Sequence, residues 1–376
     1  MLTHIASTYS LDQPSIQLPF ITNRWAVGFF FLVHIIFGSF TMGALVLGPT
    51  FEWIGLRRED PRYERYARAL GNVNLKIFSL GATLGGILLY NLRWDRFRLR
   101  KGLHILLGYA TAATEHIFLF IIVALDSYLL TPRSGQGAAA FFNPSYWPEL
   151  AHRFVGNLSW ASFFIAAVAA VYAATSRQPA NRVYFHWAAR TSLVVGFATL
   201  AVQIVLGAVF VESIKAASPG AFHYSMQGPF AWLWLLQATF IAILLVGSNL
   251  YFWQSRPTPA APVLTGIVVL GSLITMTPAA VFPKDLFALR YVALAIAVLV
   301  SIVHWLISRP RRHAMAQDLR RSSQVTLAVT GASALLLFLL MGVIRTTARS
   351  DYTIYGVMKE SDSYSIFQSP SKGYYP

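Results

Sequence analysis

The sequence of 376 residues contains no cysteine. This absence excludes disulfides, cysteine-ligated zinc, iron–sulfur clusters and covalent attachment of haem c through a C-x-x-C-H motif. Charge is also scarce, because only 12% of the residues are Asp, Glu, Lys or Arg, against about 25% in an ordinary soluble domain. Any redox group on this chain would have to be held by His, Met or carboxylate ligands, or without a covalent bond.

Apolar residues take the place of the missing charge. The chain is 56% hydrophobic and its mean hydropathy is +0.53. A helix that crosses a bilayer needs about 20 predominantly apolar residues. On this criterion we predict an all-α integral membrane protein, a bundle of about nine transmembrane helices. The expected spans are 25–48, 72–91, 103–130, 153–175, 184–211, 229–253, 263–282, 287–307 and 324–345.

The expected organisation has three parts. Residues 1–23 form an extramembrane segment without the pattern of a cleavable signal, 24–346 form the bundle, and 347–376 form an extramembrane tail. Nine spans would place the two ends of the chain on opposite faces of a cytoplasmic (inner) membrane. The net charge of +15 comes from Lys and Arg in short segments between apolar runs. There they anchor the protein in membrane lipid, and we do not expect nucleic-acid binding.

Two segments outside the expected spans fall on one face. These are the loop 134–150 and the tail 350–376, which are rich in Pro, Tyr and Ser. Tyr and Pro supply contact area at a low entropic cost, so a partner could dock on this face. A frayed chain end is the equally weighted alternative for the tail.

Three histidines in or beside apolar runs are candidate metal ligands, because ionisable groups inside a membrane are functional candidates by default. His34 and His116 lie on expected spans that run in the same direction, so we expect both near mid-membrane, where they could share one haem between two imidazoles. His152 opens the fourth expected span on the opposite face. A hydrogen-bonded or interfacial histidine is the alternative for each of them.

Two carboxylates lie on the third expected span. Glu115 precedes His116, and Asp126 follows eleven residues later. Ionised carboxylates are costly in hydrocarbon, so these groups should be protonated, paired or connected to water. A proton relay is the functional hypothesis, and pairing of Glu115 with an arginine such as Arg190 is the alternative.

Several motifs resemble one known family, that of cytochrome bd quinol oxidase subunit I. The residues that carry the resemblance are His34-Ile35-Ile36-Phe37, Thr41-Met42-Gly43 and Glu52; Asn143-Pro144, His152 and Phe154; and Gly342, Arg349, Tyr352 and Tyr355-Gly356. The resemblance implies that His34 and His152 are axial ligands of haem b. It also matches Arg349 to the arginine of the family's Gly-Arg-Gln-Pro-Trp motif.

The chain departs from the family at other ligand positions. Val292 stands where the family has a Met ligand and Thr346 where it has a Glu ligand, and the family's long quinol-binding loop is missing. We therefore expect a divergent relative with one or two haems b, and His116 as a replacement ligand or a close neighbour of a haem.

Two functions remain open at this stage. The first is a haem b-containing electron-transfer subunit that passes electrons between a membrane quinone and either oxygen or a partner redox protein, with Glu115, Asp126 and Arg349 as candidate catalytic residues. The second is a haem-free anchor of a larger redox complex. Either function implies a second membrane subunit, an extramembrane cytochrome c or an oxidoreductase subunit as partner. A proton-linked transporter is less favoured, since no pair of interrupted helices is seen in equivalent halves.

Overall fold

The computed structural model describes residues 23–81, 100–133, 141–278, 286, 288–308 and 321–359. These residues form ten helices and one two-stranded hairpin. The elements are α1 (Asn23–Arg58), α2 (Pro61–Gly81), α3 (Lys101–Leu130), α4 (Tyr146–Thr175), α5 (Pro179–Ala217), α6 (Pro219–Met226), α7 (Ala231–Ser255), α8 (Ala261–Met276), α9 (Leu289–Ile307), α10 (Arg321–Thr347), β1 (Tyr352–Ile354) and β2 (Met358–Lys359).

Seven of these helices are long and apolar enough to cross a membrane, namely α1, α3, α4, α5, α7, α9 and α10. Helix α8 is also apolar but has only 16 residues, about 24 Å of helix against the about 30 Å of a bilayer core. The predicted all-α membrane bundle is confirmed. The expected spans 72–91 and 263–282 each extend beyond the described residues.

Helix α4 lies at the centre of the bundle, where it packs against α1, α5 and α10. Phe163, in the middle of α4, has no exposed surface. Glycines allow the neighbouring helices to approach closely: a Cβ atom on Gly43 of α1 would lie 2.5 Å from the carbonyl oxygen of Asn157, and one on Gly331 of α10 would overlap Ala167. Small residues at such contacts are typical of helix packing in membranes.

Helices α1 and α3 run in opposite directions. The hydroxyl groups of Thr50, near the end of α1, and Tyr109, near the start of α3, lie 3.1 Å apart. A Cβ atom on Gly108 would lie 3.0 Å from the Cβ of Pro49. The end of α1 and the start of α3 therefore share one face of the bundle, here called the first face. The face at which α3 ends and α4 begins is called the second face.

The end of α1 and the start of α3 thus lie on one face, whereas a single crossing span at 72–91 would have put them on opposite faces. Helix α2 begins with polar residues and packs alongside the second half of α1. Its Tyr63 stacks on Phe51 of α1 with ring centroids 5.8 Å apart, and its Tyr66 hydroxyl lies 2.7 Å from that of Ser192 of α5.

The ends of the described bundle lie on the same face. Arg345, in the last turn of α10, pairs with Asp126 near the end of α3, which places the end of α10 on the second face. Helix α1 starts there too, because it ends on the first face. The expectation that the two ends lie on opposite faces is therefore wrong for the described bundle, because α1 and α3 run in opposite directions.

The described start of the tail is packed on the second face. Strands β1 and β2 form an antiparallel hairpin, and the backbone N–H of Tyr355 donates to the carbonyl of Leu129 at 3.0 Å. Ala348 joins an apolar cluster with Leu130 and Ala221. Residues 350–359 are thus a docked element, while 134–140 and 360–376 lie outside the described residues.

Candidate functional site

A buried ion network joins three helices at the second face. Asp126 of α3 pairs with Arg153 of α4 at 2.7 Å and with Arg345 of α10 at 2.5 Å. Arg153 also reaches Glu149, one turn earlier on α4, at 2.8 Å. The side chains of Asp126 and Glu149 are only 11% and 1% exposed. Carboxylates withdrawn from water need such pairing, because an isolated buried charge is very costly.

The position of each partner on its helix favours its charge. Glu149 lies in the first turn of α4 and Arg345 in the last turn of α10, the ends at which the helix dipole favours acidic and basic groups respectively. A third arginine, Arg349, follows α10; burial lowers its pKa, whereas the charges of Asp126 and Glu149 raise it. An arginine keeps its proton in proteins, so three guanidinium groups face two carboxylates and leave an excess of positive charge.

A cluster of hydroxyl and amide groups fixes the start of α4 against the end of α3. The Asn143 side-chain amide donates to the Ser127 hydroxyl at 2.7 Å and accepts from the Thr131 hydroxyl at 3.1 Å. Ser145 lies 2.6 Å from the same Thr131 hydroxyl. All four residues are buried. The Asn143-Pro144 motif therefore has a structural role: it sets the register in which α3 and α4 bring their charged residues together.

His152 lies next to this network on α4 and faces α5. Its ring stacks on Phe210 with centroids 5.9 Å apart, and a Cβ atom on Gly207 would lie 3.1 Å from its Cε1 atom. The imidazole forms a hydrogen bond with the backbone of Gln203 on α5, while its buried Nδ1 atom has no hydrogen-bond partner by geometry among the described residues. Most buried polar atoms in proteins are paired, so this nitrogen has the property expected of a group that binds a ligand, a metal or water.

His116 is buried in the middle of α3 and is held by its own helix. Its Nδ1 atom lies 2.6 Å from the carbonyl oxygen of Ala112, and its ring meets the edge of Phe154 with centroids 5.0 Å apart. Donation from Nδ1 leaves the lone pair on Nε2, the tautomer commonly found in metal-bound histidines. The same geometry also satisfies a structural histidine.

His34 is exposed on α1, in the half nearer the second face. It lies fifteen residues before Pro49, whereas His116 lies eight residues after Gly108, the residue of α3 that Pro49 meets. Because α1 and α3 are antiparallel, the two imidazoles differ in depth by about seven residues, or about 10 Å. The equal depth from which a shared haem was inferred is therefore not found. Each histidine remains a candidate ligand by itself.

The three predicted catalytic residues lie in different surroundings. Asp126 belongs to the ion network and Arg349 lies beside it. Glu115 is half-buried on α3, eleven residues before Asp126 and thus about 16 Å away along the helix. Among the described residues Glu115 forms no ion pair. Arg190 is not its partner, and instead lies near Tyr251 of α7.

Sequence reasoning missed three members of the network, Glu149, Arg153 and Arg345. Arginines at the ends of apolar spans ordinarily indicate interfacial anchors, and none of these three residues was singled out from the sequence. Glu149 and Arg153 are four residues apart in the sequence, the spacing of a helical ion pair, although Glu149 falls in the expected loop 134–150. That spacing was the available signal, but nothing in the sequence links this pair to Arg345.

A second polar site lies at the first face. The His104 Nδ1 atom lies 2.9 Å from the Glu52 carboxylate, and a cavity of about 70 Å³ opens beside this pair between α1, α2 and α3. Among the described residues no group of three or more His, Asp or Glu side chains is placed to hold a metal ion. Any metal centre formed by those residues would therefore rely on one or two protein ligands, as a haem does.

These features define a class: a multi-pass helical membrane protein with imidazoles and a paired ion network inside the bundle. Residues 77–223 match the family model described as cytochrome bd terminal oxidase subunit I. This match includes His116, Asp126, Asn143 and His152. No match was found among curated proteins.

The arrangement of the helices is also similar to that of a solved structure. The structure is similar to that of the bd oxidase from Geobacillus thermodenitrificans, with a TM-score of 0.56, 14% sequence identity and coverage of 92% of each chain. In sequence, the chain thus resembles cytochrome bd terminal oxidase subunit I over residues 77–223, and in fold it resembles a bd oxidase. The resemblance seen in the sequence motifs is confirmed, and the likeness to the solved structure establishes the fold.

Proposed function

We propose that the protein is a haem b-containing electron-transfer subunit of the cytochrome bd type. It passes electrons between a membrane quinone and either oxygen or a partner redox protein. One observation carries the proposal: in a bd oxidase fold, the buried Nδ1 atom of His152 has no hydrogen-bond partner among the described residues. This histidine is also the one that follows the Asn143-Pro144 motif at the family's spacing.

The surroundings of His152 fit a haem. The imidazole supplies an axial ligand, and Gly207 leaves open the space that a Cβ atom would fill beside the ring. Arg153, Arg345 and Arg349 provide cations of the kind that pair with carboxylates such as haem propionates. A haem b bound here would supply one-electron redox chemistry at its iron. The part of this chain is to hold the ring in place and to balance the charge of its substituents.

We propose that His34 and His116 are ligands of any haem b that is not bound by His152. They lie about 10 Å apart in depth, so they would serve different haems or different sides of the bundle. With Val292 and Thr346 in place of the family's Met and Glu ligands, the expected content is one or two haems b.

The carboxylates have separate proposed roles. Quinol oxidation releases protons, and Glu115 is the candidate acceptor because it lies inside the bundle without an ion pair among the described residues. Asp126 is already held by two arginines, so its proposed role is to position Arg153 and Arg345. Arg349 extends the positive charge of the same site.

Partners are proposed for the second face. The aromatic side chains of Phe141, Phe142 and Trp147 are 46%, 48% and 59% exposed there, beside the docked start of the tail. This face would receive an extramembrane cytochrome c or an oxidoreductase subunit, while a second membrane subunit would pack against the bundle within the inner membrane.

Haem spectra of the purified protein test the proposal. The wild-type protein should give a reduced-minus-oxidised spectrum of haem b, and the His152→Ala variant should lose haem. The matched control is His223→Ala, since His223 is an exposed imidazole on the same face and its removal should leave the haem content unchanged. Equal haem content in both variants would refute the assignment of His152.

A haem-free anchor is the second candidate, favoured by the loss of the family's Met and Glu ligands at Val292 and Thr346. A colourless protein, purified after expression with ample haem supply, would support this alternative. The ion network would then serve only to hold α3, α4 and α10 together.

A further inference from the structure

The cavity at the first face has a polar lining that the proposed electron transfer does not use. It lies between α2, the end of α1 and the start of α3. Its volume is about 70 Å³, which is room for a few water molecules. The apolar part of its wall includes Leu45 and Leu70, each only 5% exposed.

Asn74 of α2 is the first sign that the cavity is filled. This side chain lines the cavity and is 2% exposed, yet neither its Oδ1 nor its Nδ2 atom has a hydrogen-bond partner. A buried amide offers two donors and one acceptor oxygen, and such groups are normally satisfied by protein or by ordered water. Water in the cavity would satisfy Asn74 without any movement of the helices.

The second sign is a pair of titratable groups in the same wall. His104 of α3 places its Nδ1 atom 2.9 Å and 3.1 Å from the two oxygens of Glu52 of α1. With a neutral imidazole the pair carries one negative charge and one shared proton, on Nδ1. Uptake of a further proton from water converts the imidazole to imidazolium and brings the pair to zero net charge, so the reaction involves a proton only and no electron.

The other charged groups of the cavity are already paired. Glu64 of α2 lies 2.8 Å from Lys101 and 3.4 Å from Arg68, and the hydrogen bond from Lys101 lowers the pKa of Glu64. Glu64 therefore stays ionised where histidines titrate. Among the described charged residues of this wall, the Glu52–His104 pair is the one that includes an imidazole.

We propose that this cavity is a water-filled proton-exchange site, in which Asn74 binds water and the Glu52–His104 pair takes up and releases one proton at the first face. The inference concerns this chain alone and does not depend on a bound haem.

Hydroxyl-radical footprinting of the full-length protein in nanodiscs tests for the water. Leu45 and Leu70 should be labelled several times more strongly than Leu193, a leucine with no exposed surface that lies away from the cavity. Gly48 lines the cavity, and a Cβ atom there meets nothing within 4 Å, so Gly48→Leu should fill the space and abolish the labelling. Gly38→Leu is the matched control, because Gly38 is also on α1 with nothing within 4 Å.

Infrared difference spectra between about pH 5 and pH 8, the range in which histidine titrates, test for the proton. The signals of an imidazole and its bonded carboxylate should be lost in both Glu52→Gln and His104→Gln. They should persist in Glu212→Gln, which alters an exposed carboxylate. If one variant fails to fold, the other decides the same question.

Two results would overturn the proposal. Labelling of Leu45 and Leu70 as weak as that of Leu193 would show a dry cavity. A difference spectrum unchanged in a folded Glu52→Gln or His104→Gln variant would show that the pair does not exchange a proton. Neither result bears on the haem spectrum, so failure here is distinct from failure of the proposed electron transfer.

Discussion

The two carboxylates of the second-face network are stabilised mainly by their arginine partners. Glu149 is 1% exposed and Asp126 is 11% exposed, so neither carboxylate can exchange its arginine for water. A buried charge that loses its partner is far more destabilising than the pair is stabilising, because the remaining charge cannot be solvated. The network therefore constrains the positions of α3, α4 and α10 whatever ligand the site binds.

Substitution of Arg345 tests this constraint. Arg345→Met keeps the length of the side chain but leaves Asp126 with Arg153 alone, and we expect a loss of roughly 3 kcal/mol in the free energy of unfolding. The measurement is the unfolding transition of the purified protein in detergent. Lys215→Met is the control, because Lys215 pairs with Glu212 at an exposed site, where ion pairs contribute about 0 to 1 kcal/mol.

The double variant Arg345→Met with Asp126→Asn separates the ion pair from packing. Neutralising the carboxylate as well should restore part of the lost stability, because it removes the uncompensated charge. If Arg345→Met is as stable as Lys215→Met, the network is an interfacial ion cluster without a structural role.

At the scale of helices, the contact between α1 and α4 explains a sequence motif. Gly43 is the last residue of the Thr41-Met42-Gly43 motif. Its α carbon lies so close to the backbone of Asn157 that a Cβ atom on residue 43 would be 2.5 Å from the Asn157 carbonyl oxygen. A backbone atom cannot move aside as a flexible side chain can. The glycine is required because two helix backbones meet at this point.

We expect Gly43→Leu to force α1 away from α4. Overpacking of this kind costs roughly 1 to 3 kcal/mol, so the unfolding transition should move to lower temperature. Gly38→Leu, on the same helix but with nothing within 4 Å of its Cβ position, should change the transition little. Identical transitions for the two variants would mean that α1 moves freely against α4 and that this contact does not hold the bundle together.

Hydropathy was sufficient to predict most helices, because apolar length alone identifies a span. It predicted that α1 and α3 run in the same direction, because it counted 72–91 as one crossing span between them, whereas the two helices are antiparallel. Helix α2 combines Arg62, Glu64 and Arg68 with apolar residues that pack on α1 and α5. Counting apolar residues does not show on which face of the bundle α3 begins.

The site was predictable residue by residue but not as an arrangement. His152, Asp126 and Arg349 stand out in the sequence because polar groups in apolar surroundings need partners. The partner of Asp126 on α10 lies 219 residues away, and only the packing of three helices brings Arg345 to it. The prediction that His34 and His116 lie at equal depth was wrong for a related reason. Their relative depth depends on the directions of α1 and α3 and not only on position within each span.

On the scale of the whole molecule, the candidate functional groups are divided between the two faces. His152, the ion network and the docked start of the tail lie at the second face, whereas the cavity with Glu52 and His104 lies at the first. A membrane protein that moves electrons needs its redox group near the side on which its partner binds. We therefore expect the exchange of electrons with any extramembrane partner at the second face.

Two truncations of the tail test where that partner binds. Deleting 361–376 leaves the hairpin of β1 and β2 and the hydrogen bond from Tyr355 to Leu129. The bundle and its haem spectrum should therefore remain intact, while an extramembrane cytochrome or oxidoreductase subunit is released on purification. Deleting 351–376 removes that hydrogen bond too, and should also lower the unfolding temperature because Leu129 and Leu130 at the end of α3 lose contacts. Unchanged subunit composition and turnover after the shorter deletion would refute the docking role of residues 361–376, and the exposed aromatic residues Phe142 and Trp147 would then be the next surface to test.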